Sequence, residues 1–206
     1  MSQYFEIHAT HPQTRLIRRA VDIIEQGGVI AYPTDSGYAL GYHLGDKNAL
    51  ERVCRIREVD KNHNFTLMCR DLSEIATYAK VENSDYRLLK AHTPGPYTFI
   101  LNATREVPKR LQHAKKKTVG IRVPDHAVAL ALLETLGQPL MSSSLILPGE
   151  ELPMADPELI REQLATQLDL IIDGGHCITT PTTVLDLTGE TPEVIRVGTG
   201  DVSWLS

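Results

Sequence analysis

The sequence predicts an α/β fold, one sheet covered by helices, and three observations predict it. Apolar residues recur in turn at helical spacing and in short buried runs, so helices and strands interleave along the chain. Glycine and proline mark the ends of many of those segments. With 42% hydrophobic and 23% charged residues, a chain of 206 residues can bury a full core, and no Pro/Gly/Ser-rich linker or internal repeat divides it. A single domain over residues 1–206 is expected.

Leu16, Ile17, Ala20, Val21, Ile23 and Ile24 keep helical spacing up to Gly27-Gly28, which predicts a helix with a glycine stop. Residues 29–32 read as a short buried strand ended by Pro33. A second helix is expected over residues 47–57, with Leu50, Val53, Cys54 and Ile56 inward, and then a strand at 65–69. Helical stretches near 72–78 and 85–92 lead to Thr93-Pro94-Gly95-Pro96, which breaks the chain before a strand at 97–101. Residues 119–123 form the next expected strand, closed by Pro124, and 127–136 a helix closed by Gly137. A strand from Leu140 runs into Ser142-Ser143-Ser144, and Asp156-Pro157 caps a helix predicted over 157–168. Three further strands are expected at 170–173, 183–187 and 194–197.

Several function classes find no support. No apolar run, the stretch 127–133 included, approaches the roughly 20 residues of a membrane span. The N-terminal Met-Ser-Gln-Tyr-Phe-Glu-Ile-His lacks the basic-then-apolar order of a secretory signal. Three scattered cysteines make no disulfide framework, so a reduced cytoplasmic setting without a membrane partner is expected. The eight histidines show no convergent ligand spacing, so no metal site is expected from the protein alone. Neither a Walker A loop, a Gly-x-Gly-x-x-Gly run nor a Gly-x-Ser-x-Gly elbow occurs.

Charge is uneven. The formal net charge is −5, yet from Glu150 onward eleven acidic residues face only Arg161 and Arg196. Residues 1–149 hold nineteen Lys and Arg against fifteen acids, many of the cations lying in two runs: Arg52, Arg55, Arg57 and Lys61, then Lys109, Arg110, Lys115, Lys116, Lys117 and Arg122. One basic face can hold an anion on a protein that is acidic overall, although solvated loops have the same composition.

Polar groups collect where strands end. Thr34-Asp35-Ser36 follows a buried strand, the place where open α/β sheets gather ligands, although the same residues also make turns. Arg55 and Arg57 close a helix, and guanidinium groups match phosphate or carboxylate oxygens in pairs; helix C-terminal charge compensation is the alternative. Ser142 and Ser144 alternate to one side of their strand, Thr179-Thr180-Pro181-Thr182-Thr183 leads into another, and Arg196 adds a late cation. Together these clusters favour an anionic ligand such as a nucleotide or an RNA phosphate.

The run Gly28-Val29-Ile30-Ala31-Tyr32-Pro33-Thr34-Asp35-Ser36-Gly37-Tyr38-Ala39-Leu40-Gly41 resembles the opening signature of the YrdC-like family. Pro94-Gly95-Pro96-Tyr97-Thr98, Val119-Gly120-Ile121-Arg122-Val123-Pro124, Asp173-Gly174-Gly175, Thr182-Thr183-Val184-Leu185-Asp186 and Arg196-Val197-Gly198 follow in the family's order, so the resemblance spans about residues 14–200. It implies a large twisted mixed β-sheet with helices packed on it and a concave basic surface. The activity implied is synthesis of threonylcarbamoyl-AMP from L-threonine, bicarbonate and ATP, with Mg²⁺ travelling on the ATP, for modification of tRNA adenosine 37.

Carried over by position, Thr34 is expected to contact threonine, and Arg57 and Arg55 to be the catalytic cations facing phosphate. Ser142, Ser144, Thr182, Arg122 and Arg196 complete the expected substrate site. The chain departs from the synthase pattern at Arg55, where synthases carry Lys, and at Ile146, where they carry Asn. Larger relatives hold a second C-terminal domain, which this chain, ending soon after Arg196, is expected to lack. The resemblance also implies binding of tRNA or double-stranded RNA, for which Arg52, Lys61, Lys115, Lys116 and Lys117 are the candidates; a binding module without synthase activity is the alternative reading.

Overall fold

Helix ends fall where the sequence supplies partners for free backbone groups. The computed structural model describes residues 1–60 and 63–205. In chain order its elements are β1 (Gln3–Glu6), α1 (Thr14–Glu25), β2 (Ile30–Thr34), β3 (Gly37–His43), α2 (Lys47–Arg57), β4 (Thr66–Met68), α3 (Leu72–Tyr78) and α4 (Asn83–His92). Then follow β5 (Tyr97–Asn102), β6 (Thr118–Arg122), α5 (Ala127–Leu136), β7 (Leu140–Ser144), α6 (Pro157–Leu164), β8 (Leu170–Asp173), β9 (Thr183–Asp186) and β10 (Glu193–Arg196). Asp46 caps α2 by accepting the Ala49 N–H at 2.9 Å, and Asp156 caps α6 by accepting that of Glu158. Gly137, in the left-handed region at φ 70°, closes α5.

The described strands form one mixed sheet in the order β1-β8-β2-β3-β7-β4-β6-β5-β9-β10. Side chains two apart share a face of a strand, which divides the core in two. On one face Leu40, Leu67, Phe99, Ile121, Met141 and Ile171 pack with residues of α2, α3, α4 and α6, among them Val53, Ile75, Leu89 and Ile160. On the other, Ile17 and Ile24 of α1 and Val128 and Leu132 of α5 cover Ile30, Tyr32, Ile172 and Leu140, reaching no farther than Met68. Burial of each such aliphatic side chain stabilises by about 1.5–3 kcal/mol. Among the described residues no helix of this second cluster lies over β6, β5, β9 or β10, and that part of the face stays open as a concavity.

The structure differs from the sequence expectation at several points. The segment after β2 is a hairpin, with Thr34 paired to Gly37 and Ile30 to Gly41, where a loop was expected. Six of the seven residues of β3 are buried, so the alternation that announces a half-exposed strand is missing. Pro33 lies within β2 and does not end it: β8 pairs with β2 only as far as Ala31, so Pro33 has a neighbouring strand on one side alone. At the sheet's edge, β1 pairs in parallel with β8, an element too short to read from its pattern. Helix α6 also stops at Leu164, four residues early, where Gln167 and Leu168 both donate to the Leu164 carbonyl. Among the described residues no helix is long and apolar enough to cross a membrane.

Candidate functional site

The uncovered half of the sheet is the floor of a cleft of about 1030 Å³. Register explains its chemistry. Ser142 pairs with Thr66, Thr66 with Gly120, Gly120 with Ile100, and Ile100 with Asp186, a row of mostly small or polar residues across five strands. All five line the cleft. One wall is the segment 109–116, which brings Lys109, Arg110, Lys115 and Lys116 to the rim; Arg110 donates to the carbonyl of Gly45 and so ties the segment to the loop before α2.

Thr34 is buried at the head of the cleft, where its hydroxyl donates to the Gly37 carbonyl at 2.6 Å and accepts the Ser36 N–H at 3.1 Å. The hydroxyl hydrogen is used in the turn, and the remaining lone pair faces the Ser36 hydroxyl at 3.4 Å, a long contact that a donor from a ligand can replace. Arg122 is buried on β6, donating to Asp35 Oδ1 and, at 2.8 Å, to Ser36 Oγ, so it holds the β2–β3 turn against the floor.

Arg57, at the end of α2, reaches in from the opposite face of the sheet. Its Nη1 donates to Ser143 Oγ at 2.5 Å, and its Nε faces the Ile146 carbonyl at 3.4 Å. Among the described residues it makes no ion pair with a carboxylate, and burial works against its charge. A half-buried guanidinium in that position favours an anion from outside the chain. On the far side Arg196 donates to the Thr182 carbonyl through Nε and Nη2, at 3.1 and 2.9 Å, and Thr182 shares a hydroxyl–hydroxyl hydrogen bond with Thr98 at 2.9 Å. Ser142 is held by Tyr32, whose hydroxyl burial pushes up to about 12. Ser144 lines the rim.

Seven of the expected site residues thus line one cleft: Thr34, Arg57, Arg122, Ser142, Ser144, Thr182 and Arg196. Arg55 does not. It is exposed on α2, because residues two apart on a helix diverge, and it is absent from the cleft lining. Nor does Arg52 face it: the side chain pairs with Asp169 at 2.7 Å and donates to the Gln167 carbonyl, which ties α2 to the chain before β8. Lys115 and Lys116 stand on the cleft wall, Lys117 is exposed outside it, and Lys61 lies outside the described residues. Sequence reasoning missed Ser143, His63, Gln112 and Asp186, all cleft residues. Alternation sends Ser143 to the face opposite Ser142, and only the approach of Arg57 from that side makes it part of the site. Among the described residues no group of three or more His, Cys, Asp and Glu is placed to hold a metal ion.

Comparison with known proteins agrees with this architecture. The YciO protein of Escherichia coli (strain K12) is 59% identical over 202 residues, 98% of each chain, and its crystal structure superposes with a TM-score of 0.95 over 98% of each. The threonylcarbamoyl-AMP synthase of Pyrococcus abyssi is 30% identical over 184 residues, 88% of this chain and 54% of that one. The structure of P. abyssi Sua5 complexed with L-threonine matches with a TM-score of 0.87 at 27% identity, covering 96% of this chain and 58% of that chain. Residues 22–198 match the family model Sua5_yciO_yrdC, described as "Telomere recombination", and with the cleft and its signature residues in place, the chain belongs to the Sua5/YciO/YrdC family.

Proposed function

We propose that the cleft binds L-threonine, bicarbonate and ATP and forms threonylcarbamoyl-AMP for tRNA modification. The carrying observation is Arg57, a half-buried guanidinium without a carboxylate partner beside a hydroxyl-lined floor. In this reaction the threonine amine adds to the bicarbonate carbon with loss of water, and a carbamate oxygen then attacks the α-phosphorus. The bond from that phosphorus to the bridging oxygen breaks and pyrophosphate leaves. Such chemistry asks the protein for positioning and charge stabilisation. Thr34 receives a donor from threonine, Arg57 faces phosphate, and Ser142, Ser144, Thr182 and Arg196 bracket the nucleotide. Mg²⁺ arrives on the triphosphate as part of the substrate.

Pyrophosphate release from ATP with bicarbonate, with and without L-threonine, tests this. Threonine-dependent release is expected, and Arg57→Ala should lower it about ten- to hundredfold or more, the worth of one hydrogen bond to a charged group. Release indifferent to threonine, or unchanged in Arg57→Ala, refutes the assignment. The basic wall formed by Lys109, Arg110, Lys115 and Lys116 supports a second reading, a tRNA or duplex-RNA binding module that performs no chemistry.

A further inference from the structure

His63 stands in the cleft with its Nε2 3.0 Å from Arg57 Nη1 and its ring edge-on to Phe65. A guanidinium nitrogen can only donate, so His63 Nε2 accepts, and the ring in this arrangement is neutral with its hydrogen on Nδ1. Nη1 carries two hydrogens, and the other is directed at Ser143 Oγ. Both are therefore engaged within the protein.

We propose that His63 is the proton-coupled partner of Arg57 in the anion site: when an anion seats on Arg57, His63 takes up one proton from solvent, releases the Nη1 hydrogen to the anion and becomes a second donor to it. This rests on the reading of the cleft as an anion site. No heavy-atom bond changes; a proton joins Nε2 and one N–H···N hydrogen bond is exchanged for hydrogen bonds to the anion.

Geometry makes the coupling strong. An anion oxygen about 2.8 Å from Nη1 lies within about 6 Å of His63 Nε2, inside the range over which an opposite charge favours an imidazolium. Burial and the Arg57 charge hold the His63 ring below its ordinary range, while Asp60, whose carbonyl accepts the His63 N–H, acts the other way. Glu58 and Asp60 line a small depression together with His63, and Lys109, His113, Lys115 and Lys116 line the same cleft as His63. Arg57 is the cation whose charge acts on the ring, so an anion seated on Arg57 offsets that charge at His63. By reciprocity the anion binds more tightly as His63 is protonated, by at most about tenfold per pH unit for one proton.

Inorganic sulfate, which keeps both charges over this range, is the probe. Its affinity is measured by calorimetry at constant ionic strength between about pH 8 and pH 5, and the His63 ring is followed by NMR in the unmodified protein. Affinity should climb as pH falls, the climb should vanish in His63→Gln and persist in His113→Gln, and sulfate should move the His63 titration midpoint upward. A climb that survives in His63→Gln, or a His63 midpoint that stays put while sulfate binds through Arg57, overturns the proposal and leaves the anion site standing. No sulfate binding, or equal binding by Arg57→Ala, overturns both.

Discussion

Replacing Asp35 by alanine should cost more stability than any exposed substitution, because it strands a buried charge. The Arg122 and Asp35 side chains are only 7% and 13% exposed, and the pair joins β6 to the β2–β3 turn. Without the carboxylate, the Ser36 hydroxyl is the one described side-chain partner left to the Arg122 guanidinium. Breaking a buried pair by removing one member costs about 3–5 kcal/mol, against a total of about 5–15 kcal/mol for a typical domain. With a urea m-value of about 2 kcal/mol/M, the midpoint should fall by about 1.5–2.5 M. Adding Arg122→Met removes the stranded charge, so the double variant should lose less than the sum of the single losses by about 1–3 kcal/mol. Equilibrium urea unfolding of the four proteins, followed by fluorescence and circular dichroism, measures the cycle. A midpoint shift under about 0.5 M for Asp35→Ala at unchanged m, or strict additivity, would show that charge pairing is not what holds the turn.

Other expectations follow from the same structure. Gly37 sits at φ 109°, and a Cβ there would meet the Pro153 ring at 2.6 Å; Gly37→Ala should therefore cost at least about 1–3 kcal/mol, read as a fall in the thermal midpoint, and an unchanged midpoint would refute the strain. Burial lowers both His63 and His126, so the unfolded chain binds more protons just below the ordinary imidazole range. Stability should thus be fully present above about pH 6.5 and decline as pH falls below it; a urea midpoint that rises on acidification would contradict this sign. If duplex RNA binds along the basic wall, its log affinity should fall with log salt at a slope reaching about −3 to −4 for four cations, and neutralising Lys109, Lys115 and Lys116 should flatten it by about 3; a slope the triple variant does not change would place any RNA elsewhere.

The helices were legible because each announces itself locally. The spacing of Ile17, Ala20, Val21 and Ile24 marks a buried stripe, and Asp156 before Pro157 is a cap readable within a few residues. The polar signature was legible in part for a related reason: the clusters around Thr34, Arg57, Ser142 to Ser144, Thr182 and Arg196 stand at or near element ends, and the family resemblance carried those positions and Arg122 into one expected site. Arg55 and Arg52 carry the same charge and the same neighbourhood in sequence, yet one is exposed and the other pairs with Asp169. Nothing local separates them from Arg57; the direction in which α2 lies across the sheet does.

Composition, periodicity and signature determined that this chain is an α/β protein and named most of the polar residues that line its cleft, since those depend on patterns within a few residues. Tertiary structure alone decided that β3 is a strand buried too thoroughly to show alternation and that α1 and α5 cover half a face and leave the rest open. It also decided that segment 109–116 lines the same cleft as Arg57, and that Ser143 and His63 share one guanidinium nitrogen. Each of these joins residues far apart in the chain or on opposite faces of the sheet. Their encounter is set by strand order and register, which the hydrophobic pattern of any single segment does not encode.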